Sequence, residues 1–409
     1  MNGPRTLAVV LLLCLAPIGG VVVADSHADT TAPQPQTDSA DRAMTVFDAG
    51  NTSEYLAPPP DRIDRAGNRT VGLDVGAAVE ADAAGLESAY TVGTLQRRYD
   101  DAATDAEREA VVEDGVERLA ERADALRAAD RATIRQFNRG EIGEHELLRQ
   151  LTALHRAAGV TVEGLEWLET AASELGMDGA AERTASNRIT LLPTNGPVRA
   201  ELAAAADDGG SLNVQIETAG DGLVLAAVDR TGDTYLREAH DTEARAPGTA
   251  DQYNGSPLLA LERIEQLYPW VTENDLGVSA SPIGPTFDRV YRFTIPHPHG
   301  ELETYLDSGS ESIAVEFHRN DPAALPTDRT ETTGDDRRLV VETTRGGGPA
   351  GISVVDTATG EPVDARIELN GTPIGSTGGD RLWTVAPRGS VSIEATHADG
   401  TLSAELSLP

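Results

Sequence analysis

The sequence predicts an α+β multidomain protein, with an N-terminal antiparallel helical bundle, a middle region of helices and antiparallel sheet, and a small C-terminal β-sandwich. Three observations lead to this prediction. Residues 77–175 contain no proline and repeat apolar residues every three or four positions. Residues 187–344 alternate helical and β-type runs, whereas residues 349–409 are β-type runs separated by glycine-containing turns.

The helical bundle is predicted over residues 71–180 as three helices joined by short turns. The first helix is expected over residues 77–98 and the second over residues 105–137. The third should end near Leu175, with a bend or break near Gly159. Each helix has a narrow, alanine-rich apolar stripe that it could not bury alone, so we expect the three stripes to face one another.

The first 24 residues have the layout of an export signal. Arg5 precedes an apolar run over residues 6–16, and the small residues Val22 and Ala24 stand three positions and one position before a cut. This run is shorter than the ~20 residues that a membrane-spanning helix needs. We therefore predict a signal peptide over residues 1–24.

The alternative to cleavage is an uncleaved membrane anchor over residues 6–23. Residues 25–70 follow and are rich in Asp, Thr, Pro and Gly, a composition that predicts a disordered tether. Either alternative places the rest of the chain outside the cell or at its surface.

The charge of the chain indicates adaptation to high salt. Its 67 acidic residues stand against 33 basic ones, giving a net charge of −34, and every basic residue is an arginine. Such a body repels itself in dilute buffer, and the repulsion fades when the Debye length falls to ~3 Å near molar salt. The acidity, the missing lysine and the abundant alanine and aspartate resemble haloarchaeal proteins. The same charge excludes nucleic acid as a partner and argues against adhesion to anionic lipid.

The residue composition excludes several classes of catalytic and cofactor site. Without lysine there is no P-loop and no Schiff base, and with Cys14 as the only cysteine there is no mature thiol nucleophile, iron–sulfur cluster or zinc ribbon. We therefore predict no catalytic residues and no cofactor. His297 and His299, with His318, are the one imidazole group that could hold zinc, and they define the alternative of a metal-dependent hydrolase.

The middle region contains a candidate tandem repeat, with copies over residues 196–241 and 257–321. Four residues of the first copy recur in the second at a spacing of 78, namely Gly222, Asp229, Glu238 and His240 as Gly300, Asp307, Glu316 and His318. The spacing predicts two helix-plus-sheet units that share one plan.

Part of this region resembles PepSY-type domains. The residues that carry the resemblance are Tyr291-Arg292 in one predicted strand and Gly300 followed by Tyr305-Leu306-Asp307 in the next. PepSY-type domains occur in exported proteins and propeptides. The resemblance implies a binding or inhibitory module that acts on a secreted peptidase and has no catalytic residues of its own.

The C-terminal region is expected to begin after a hinge over residues 345–349. Gly360-Glu-Pro-Val363, Trp383 and Pro387-Arg-Gly389 resemble the carboxypeptidase-regulatory or transthyretin-like β-sandwich. The resemblance implies a structural, carbohydrate-facing or protein-facing accessory module, with Trp383 in its core rather than in a ligand site.

Four sequons are candidate N-glycosylation sites, at Asn51, Asn68, Asn254 and Asn370. Together these features predict an exported or cell-surface binding or structural protein without enzymatic activity. Its expected partner is a protein or a surface glycan outside the cell, and it would touch the membrane only through a retained N-terminal segment. The alternatives are a PepSY-like peptidase regulator and the metal-dependent hydrolase.

Overall fold

A computed structural model describes residues 42–47, 55–72, 75–208, 211–334, 336–344 and 348–408. The predicted signal peptide and much of the predicted tether lie outside these residues. The helices are α1 (Val75–Asp101), α2 (Asp105–Asn138), α3 (Glu144–Glu174), α4 (Asp178–Thr190), α5 (Pro197–Asp208), α6 (Pro257–Leu267) and α7 (Pro269–Glu273). Within the described ranges, no helix combines the length and the apolar character needed to cross a membrane.

The helical bundle is present, and it has one helix more than the sequence indicated. Helices α1 to α4 bury a shared core that includes Leu95, Leu119 and Leu168. The side chain of Thr104 and that of Glu107 form a capping box that starts α2. The predicted bend near Gly159 is wrong, because α3 runs unbroken through it. Packing on both sides of this position outweighs the ~1 kcal/mol that a helical glycine costs.

An antiparallel sheet of eight strands forms the centre of the molecule. The first ten strands of the chain, which include those of this sheet, are β1 (Thr45–Val46), β2 (Leu56–Ala57), β3 (Arg65–Val71), β4 (Leu212–Ala219), β5 (Gly222–Val228), β6 (Tyr235–His240), β7 (Ser279–Ile283), β8 (Val290–His297), β9 (Gly300–Asp307) and β10 (Ser312–Asn320). The order across the sheet is β3-β4-β5-β6-β10-β9-β8-β7, and β1 and β2 form a separate small hairpin. Two meanders therefore meet at the pairing of β6 with β10.

The two faces of this sheet are covered by different elements. The bundle face carries Glu238 and His240 and packs against α2, α3 and α5 through apolar residues such as Phe137 and Val198. The opposite face, here called the α6 face, carries Glu316 and packs against α6, α7 and the β1–β2 hairpin. The sheet is thus buried on both sides near its centre.

The two meanders are not copies of one helix-plus-sheet unit, which corrects the predicted repeat. A two-fold rotation about an axis perpendicular to the sheet, between β6 and β10, superposes the strands of one meander on those of the other. This rotation does not exchange the two faces of the sheet, so repeated units would have their helices on the same face. Instead, α5 and α6 lie on opposite faces. The pairing of β6 with β10 sets Glu238 opposite Phe317 and Glu316 opposite Ala239. Neighbouring pairs point to opposite faces, so Glu238 and Glu316 are not equivalent.

The described part of the predicted tether is not disordered. Met44, Tyr55 and Leu56 are almost completely buried on the α6 face, and β3 pairs with β4 as an edge strand of the main sheet. The polar composition hid these elements because the few apolar residues of the segment are concentrated where it contacts the sheet.

The C-terminal β-sandwich begins earlier than predicted. Its strands are β11 (Asp328–Thr333), β12 (Arg337–Thr343), β13 (Pro349–Asp356), β14 (Pro362–Val363), β15 (Arg366–Leu369), β16 (Thr372–Ser376), β17 (Leu382–Val385), β18 (Gly389–His397) and β19 (Gly400–Leu408). The strands on either side of the predicted hinge at residues 345–349 belong to one sheet, because β12 pairs with β13 along its whole length, while residues 345–347 lie outside the described residues. The predicted start at residue 349 is therefore wrong.

The sandwich is docked on the α6 face of the main sheet. Val385 and Leu325 are buried against Ala226 and Tyr235, and Trp383 packs on the same cluster. Trp383 therefore packs between two domains, which corrects its predicted place in the core of the sandwich.

Polar contacts surround this apolar cluster. The side-chain amide of Asn213 donates to the hydroxyl of Thr384 at 2.9 Å, and Nε of Arg388 donates to the buried carboxylate of Glu217 at 2.6 Å. The sandwich and the main sheet therefore form a continuous body, held by apolar and polar contacts together.

We predict that Val385→Asp separates the sandwich from the main sheet. The side chain of Val385 is fully buried, and an unpaired carboxylate at this position would cost several kcal/mol. Limited proteolysis should then cut the chain between β10 and β11, and small-angle scattering should show a larger radius of gyration. Ala398→Asp, at an exposed turn of the sandwich, is the matched control. Equal proteolysis of the two variants would contradict the docking.

Candidate functional site

The three histidines proposed as zinc ligands have other partners in the fold. Nε2 of His318 lies 2.7 Å from Oε1 of Glu316, and the ring of His299 stacks on Trp270 with centroids 4.7 Å apart. The backbone N–H of His299 donates to Nδ1 of His297 at 3.3 Å. Within the described ranges, no group of three or more His, Cys, Asp or Glu side chains is placed to hold a metal ion.

Burial holds His297 in its neutral form. The ring is 3% exposed, and burial, followed by the neighbouring His318 and His299, lowers the pKa of His297 to about 4. Burial also lowers the pKa of His299. Neutral rings packed between Trp270 and the sheet fit a role in the core at this edge of the α6 face.

A buried ion cluster lies on the α6 face at the pairing of β6 with β10. The carboxylate of Glu316 accepts from Nη1 of Arg237 at 2.9 Å, from the hydroxyl of Tyr268 at 2.8 Å and from the backbone N–H of Leu56 at 3.0 Å. Burial by itself raises the pKa of Glu316, but the interactions with His318 and Arg237 outweigh it and leave this pKa below its usual value. Glu316 is therefore an ionised and fully partnered carboxylate.

A second buried ion cluster lies on the bundle face. The guanidinium of Arg199 donates to Asp130 at 2.8 Å and to Glu238 at 3.0 Å, and Nε2 of His240 lies 3.5 Å from Asp130. Burial opposes ionisation of Asp130, yet Arg199 and His240 lower its pKa to about 2. Burial raises the pKa of Glu238, despite the charge of Arg199 beside it.

The first turn of α5 is built around the carboxylate of Glu238. The backbone N–H groups of Val198 and Arg199 donate to this carboxylate, which therefore occupies the positive end of the helix. A Cβ atom at Gly196 would lie 1.9 Å from Oε2 of Glu238, so only glycine fits there. The cluster is a structural junction between the bundle and the sheet.

Most of these charged residues escaped the sequence analysis. Asp130, Arg199, Arg237 and Tyr268 carry no local pattern that distinguishes them from residues on an acidic surface. One signal was present in the repeated Glu-x-His of β6 and β10, because charged residues inside short apolar strands are rarely exposed. The spacing of this signal predicts a repeat, whereas Glu238 and Glu316 belong to two separate clusters.

A surface groove lined by residues of α2 and α4 has a volume of ≈700 Å³. Its lining includes three acidic residues, among them Glu113, which pairs with Arg183 at 2.6 Å, and the half-exposed ring of Phe287. The lining contains no histidine or cysteine. The groove can hold a ligand, but its side chains do not form a nucleophile–base pair.

An apolar stripe runs along the solvent side of α1. Val79, Leu86 and Tyr90 are 62%, 68% and 73% exposed, and Ala83 is exposed between them. Their spacing of four, three and four residues places all four within about 60° of the helix circumference. The bundle buries the opposite side of α1, so the stripe points directly away from the core. Contiguous apolar surface of this kind marks interaction sites.

The candidate glycosylation sites differ in accessibility. Asn254 and Asn370 are exposed in turns with positive φ angles of 51° and 49°, and Oδ1 of Asn370 accepts from the backbone N–H of Ser392, which leaves its amide nitrogen toward solvent. Asn68 lies half-buried in β3, where its amide nitrogen faces Gln215. Asn51 lies outside the described residues.

These features define a multidomain α+β protein in which a helical bundle, a two-sided antiparallel sheet and a β-sandwich are packed together. Residues 1–211 match the family model described as a domain of unknown function, DUF7096, which covers just over half of the chain. The chain therefore belongs to this family.

Two further family models match the remaining residues. Residues 214–326 match a family of unknown function, DUF7094, and residues 328–404 match an archaeal fibronectin-III type-like domain. No curated protein and no solved structure matches the chain. The fibronectin-like match agrees with a C-terminal β-sandwich and with an archaeal protein, while neither the carboxypeptidase-regulatory or transthyretin-like resemblance nor the PepSY-like resemblance is confirmed.

We predict that Glu316→Gln destabilises the fold by about 3–5 kcal/mol, because it leaves the buried guanidinium of Arg237 without its charge partner. Glu301→Gln is the matched control, since its carboxylate is 40% exposed and lies 4.0 Å from Arg319, where a pair contributes at most ~1 kcal/mol. Denaturant unfolding at high salt measures both variants. Similar losses in the two variants would contradict the cluster.

A second prediction concerns acid sensitivity. Between the usual histidine pKa of about 6.5 and the lowered value of about 4, the unfolded chain binds a proton at His297 that the folded chain does not. The free energy of unfolding should therefore fall as the pH falls through this range. His297→Gln should flatten that slope, as measured by denaturant unfolding across the same range. An unchanged slope would show that the ring is not held neutral by the fold.

Proposed function

We propose that the chain is an exported, cell-surface protein of a high-salt archaeon that acts by binding and not by catalysis. The observation that carries the proposal is the contrast between interior and surface. The described clusters of titratable residues at the centre of the fold are paired internally, whereas the apolar stripe of α1 faces solvent. A binding role accounts for this contrast, because exposed apolar surface is retained where a partner covers it.

Several features support the proposed location and environment. The first 24 residues have the charge, apolar run and small residues of an export signal. The net charge of −34 suits a medium in which salt screens repulsion. A fibronectin-III type-like domain at the C-terminal end fits a structural or binding module. The PepSY-like and hydrolase alternatives have no supporting observation among the described residues.

Cell fractionation at high salt tests the location directly. The mature chain should begin near Asp25 in the culture medium or on the cell envelope, or keep residues 6–23 in the membrane fraction. Recovery of the intact polypeptide from the cytosol would overturn the proposal.

Glycosylation gives a second prediction of export, with a control inside the same chain. We expect glycans on Asn254 and Asn370, because both are exposed in turns, and no glycan on Asn68, because its side chain faces Gln215 in a paired strand. Glycopeptide mass spectrometry of the native protein measures the occupancy of each site. Modification of Asn68 alone would contradict the structural reasoning.

A further inference from the structure

We infer that the apolar stripe of α1 is the interface through which two copies of this chain pair, with their α1 helices antiparallel. The inference rests on the proposed binding role and names its partner, but it does not depend on where the protein is located. The stripe is defined as Val79, Ala83, Leu86 and Tyr90.

The stripe has the period of a helix–helix seam. Its members alternate steps of four and three residues, which is the a/d spacing of a coiled coil. Such a seam receives a second helix that runs nearly along it, not a flat surface or a small ligand. The length from Val79 to Tyr90 is about 17 Å at 1.5 Å per residue, enough for two layers of contacts on each side of a two-fold axis.

The sizes of the side chains are complementary to their own antiparallel copy. When the two-fold axis passes between Ala83 and Leu86, each Leu86 meets the Ala83 of the second copy and each Tyr90 meets its Val79. Every layer then joins a larger side chain to a smaller one, and the interface is the same patch on both copies. A parallel arrangement would instead oppose Tyr90 to Tyr90 and Ala83 to Ala83.

Two acidic residues beside the stripe form ion pairs with arginines of the bundle. Asp82 forms an ion pair with Arg156, and Glu87 forms one with Arg122 at 3.1 Å. Each edge of the stripe therefore carries one ion pair. Open space lies over Gly93, which is next to the C-terminal end of the stripe, so a second helix can approach the backbone of α1 there.

The size and charge of the molecule determine how strong this pairing is. The stripe offers on the order of 300–400 Å² of apolar surface per copy, below the roughly 800 Å² per partner of a standard interface. The association should therefore be weak, and it must work against the repulsion of two bodies that each carry a charge of −34. Salt removes that repulsion, so the pairing should strengthen with salt and with the high local concentration of a tethered protein.

Sedimentation velocity of the purified full chain tests the inference. Wild-type protein should be monomeric in about 0.2 M NaCl and form dimers at about 3 M NaCl, in proportion to its concentration. Leu86→Glu should weaken dimerisation at least about tenfold, because each dimer loses two buried leucines. Leu276→Glu is the matched control, since Leu276 is 72% exposed outside α1. Equal weakening by both variants, or a wild-type monomer at every salt concentration, would overturn the inference.

Single cysteines test the orientation in a Cys14→Ser background, where the chain has no other thiol. Val79→Cys and Tyr90→Cys chains, oxidised together at high salt, should form mainly the mixed disulfide, because these positions meet across the antiparallel axis. Efficient self-linking of each variant alone, without a mixed excess, would overturn the antiparallel pairing. A negative result in either experiment would not contradict the proposed export, which cell fractionation and glycopeptide mass spectrometry test separately.

Discussion

The pairing of β6 with β10 is the constraint on which the rest of the molecule depends. Arg237 and Glu238 are consecutive on β6 and point to opposite faces, so one strand supplies a buried charge to each side of the sheet. Burying such charges is unfavourable unless every partner is in place. The partners come from α2, α5, the segment before β3 and the turn between α6 and α7, and each of these elements must therefore pack in one position.

The same constraint explains how an extremely acidic chain builds a stable interior. Arginine is its only basic residue type, and the planar guanidinium of Arg199 reaches two carboxylates at once. Surface ion pairs lose strength in concentrated salt, whereas pairs sealed between a helix and a sheet are screened much less. The buried clusters therefore provide electrostatic specificity that survives in the medium for which the surface charge is suited.

The helical bundle and most strands of the sandwich could be predicted from sequence, because both depend on local periodicity and turn residues. The long-range pairings could not. No local pattern in residues 65–71 indicates that they form a strand paired with Leu212–Ala219. Similarly, no local pattern in residues 328–343 shows whether their strands belong to the sandwich or to the preceding sheet. The histidines show the same limit. Their spacing suggested metal ligands, but their partners Glu316 and Trp270 come from other elements and decide their role.

The boundary between the first two family regions divides a single core. The region that ends at residue 211 contributes Tyr55 and Leu56 to one face of the sheet and Val198 to the other, while all strands of the sheet except β3 lie in or at the start of the second region. Either region alone would expose the apolar residues that the other covers, and residues 214–326 alone would leave Glu238 without the guanidinium of Arg199. The two families of unknown function therefore describe one folding unit in this chain. The stripe of α1 faces solvent on the side of the helix opposite its buried residues, and none of its four residues belongs to either ion cluster.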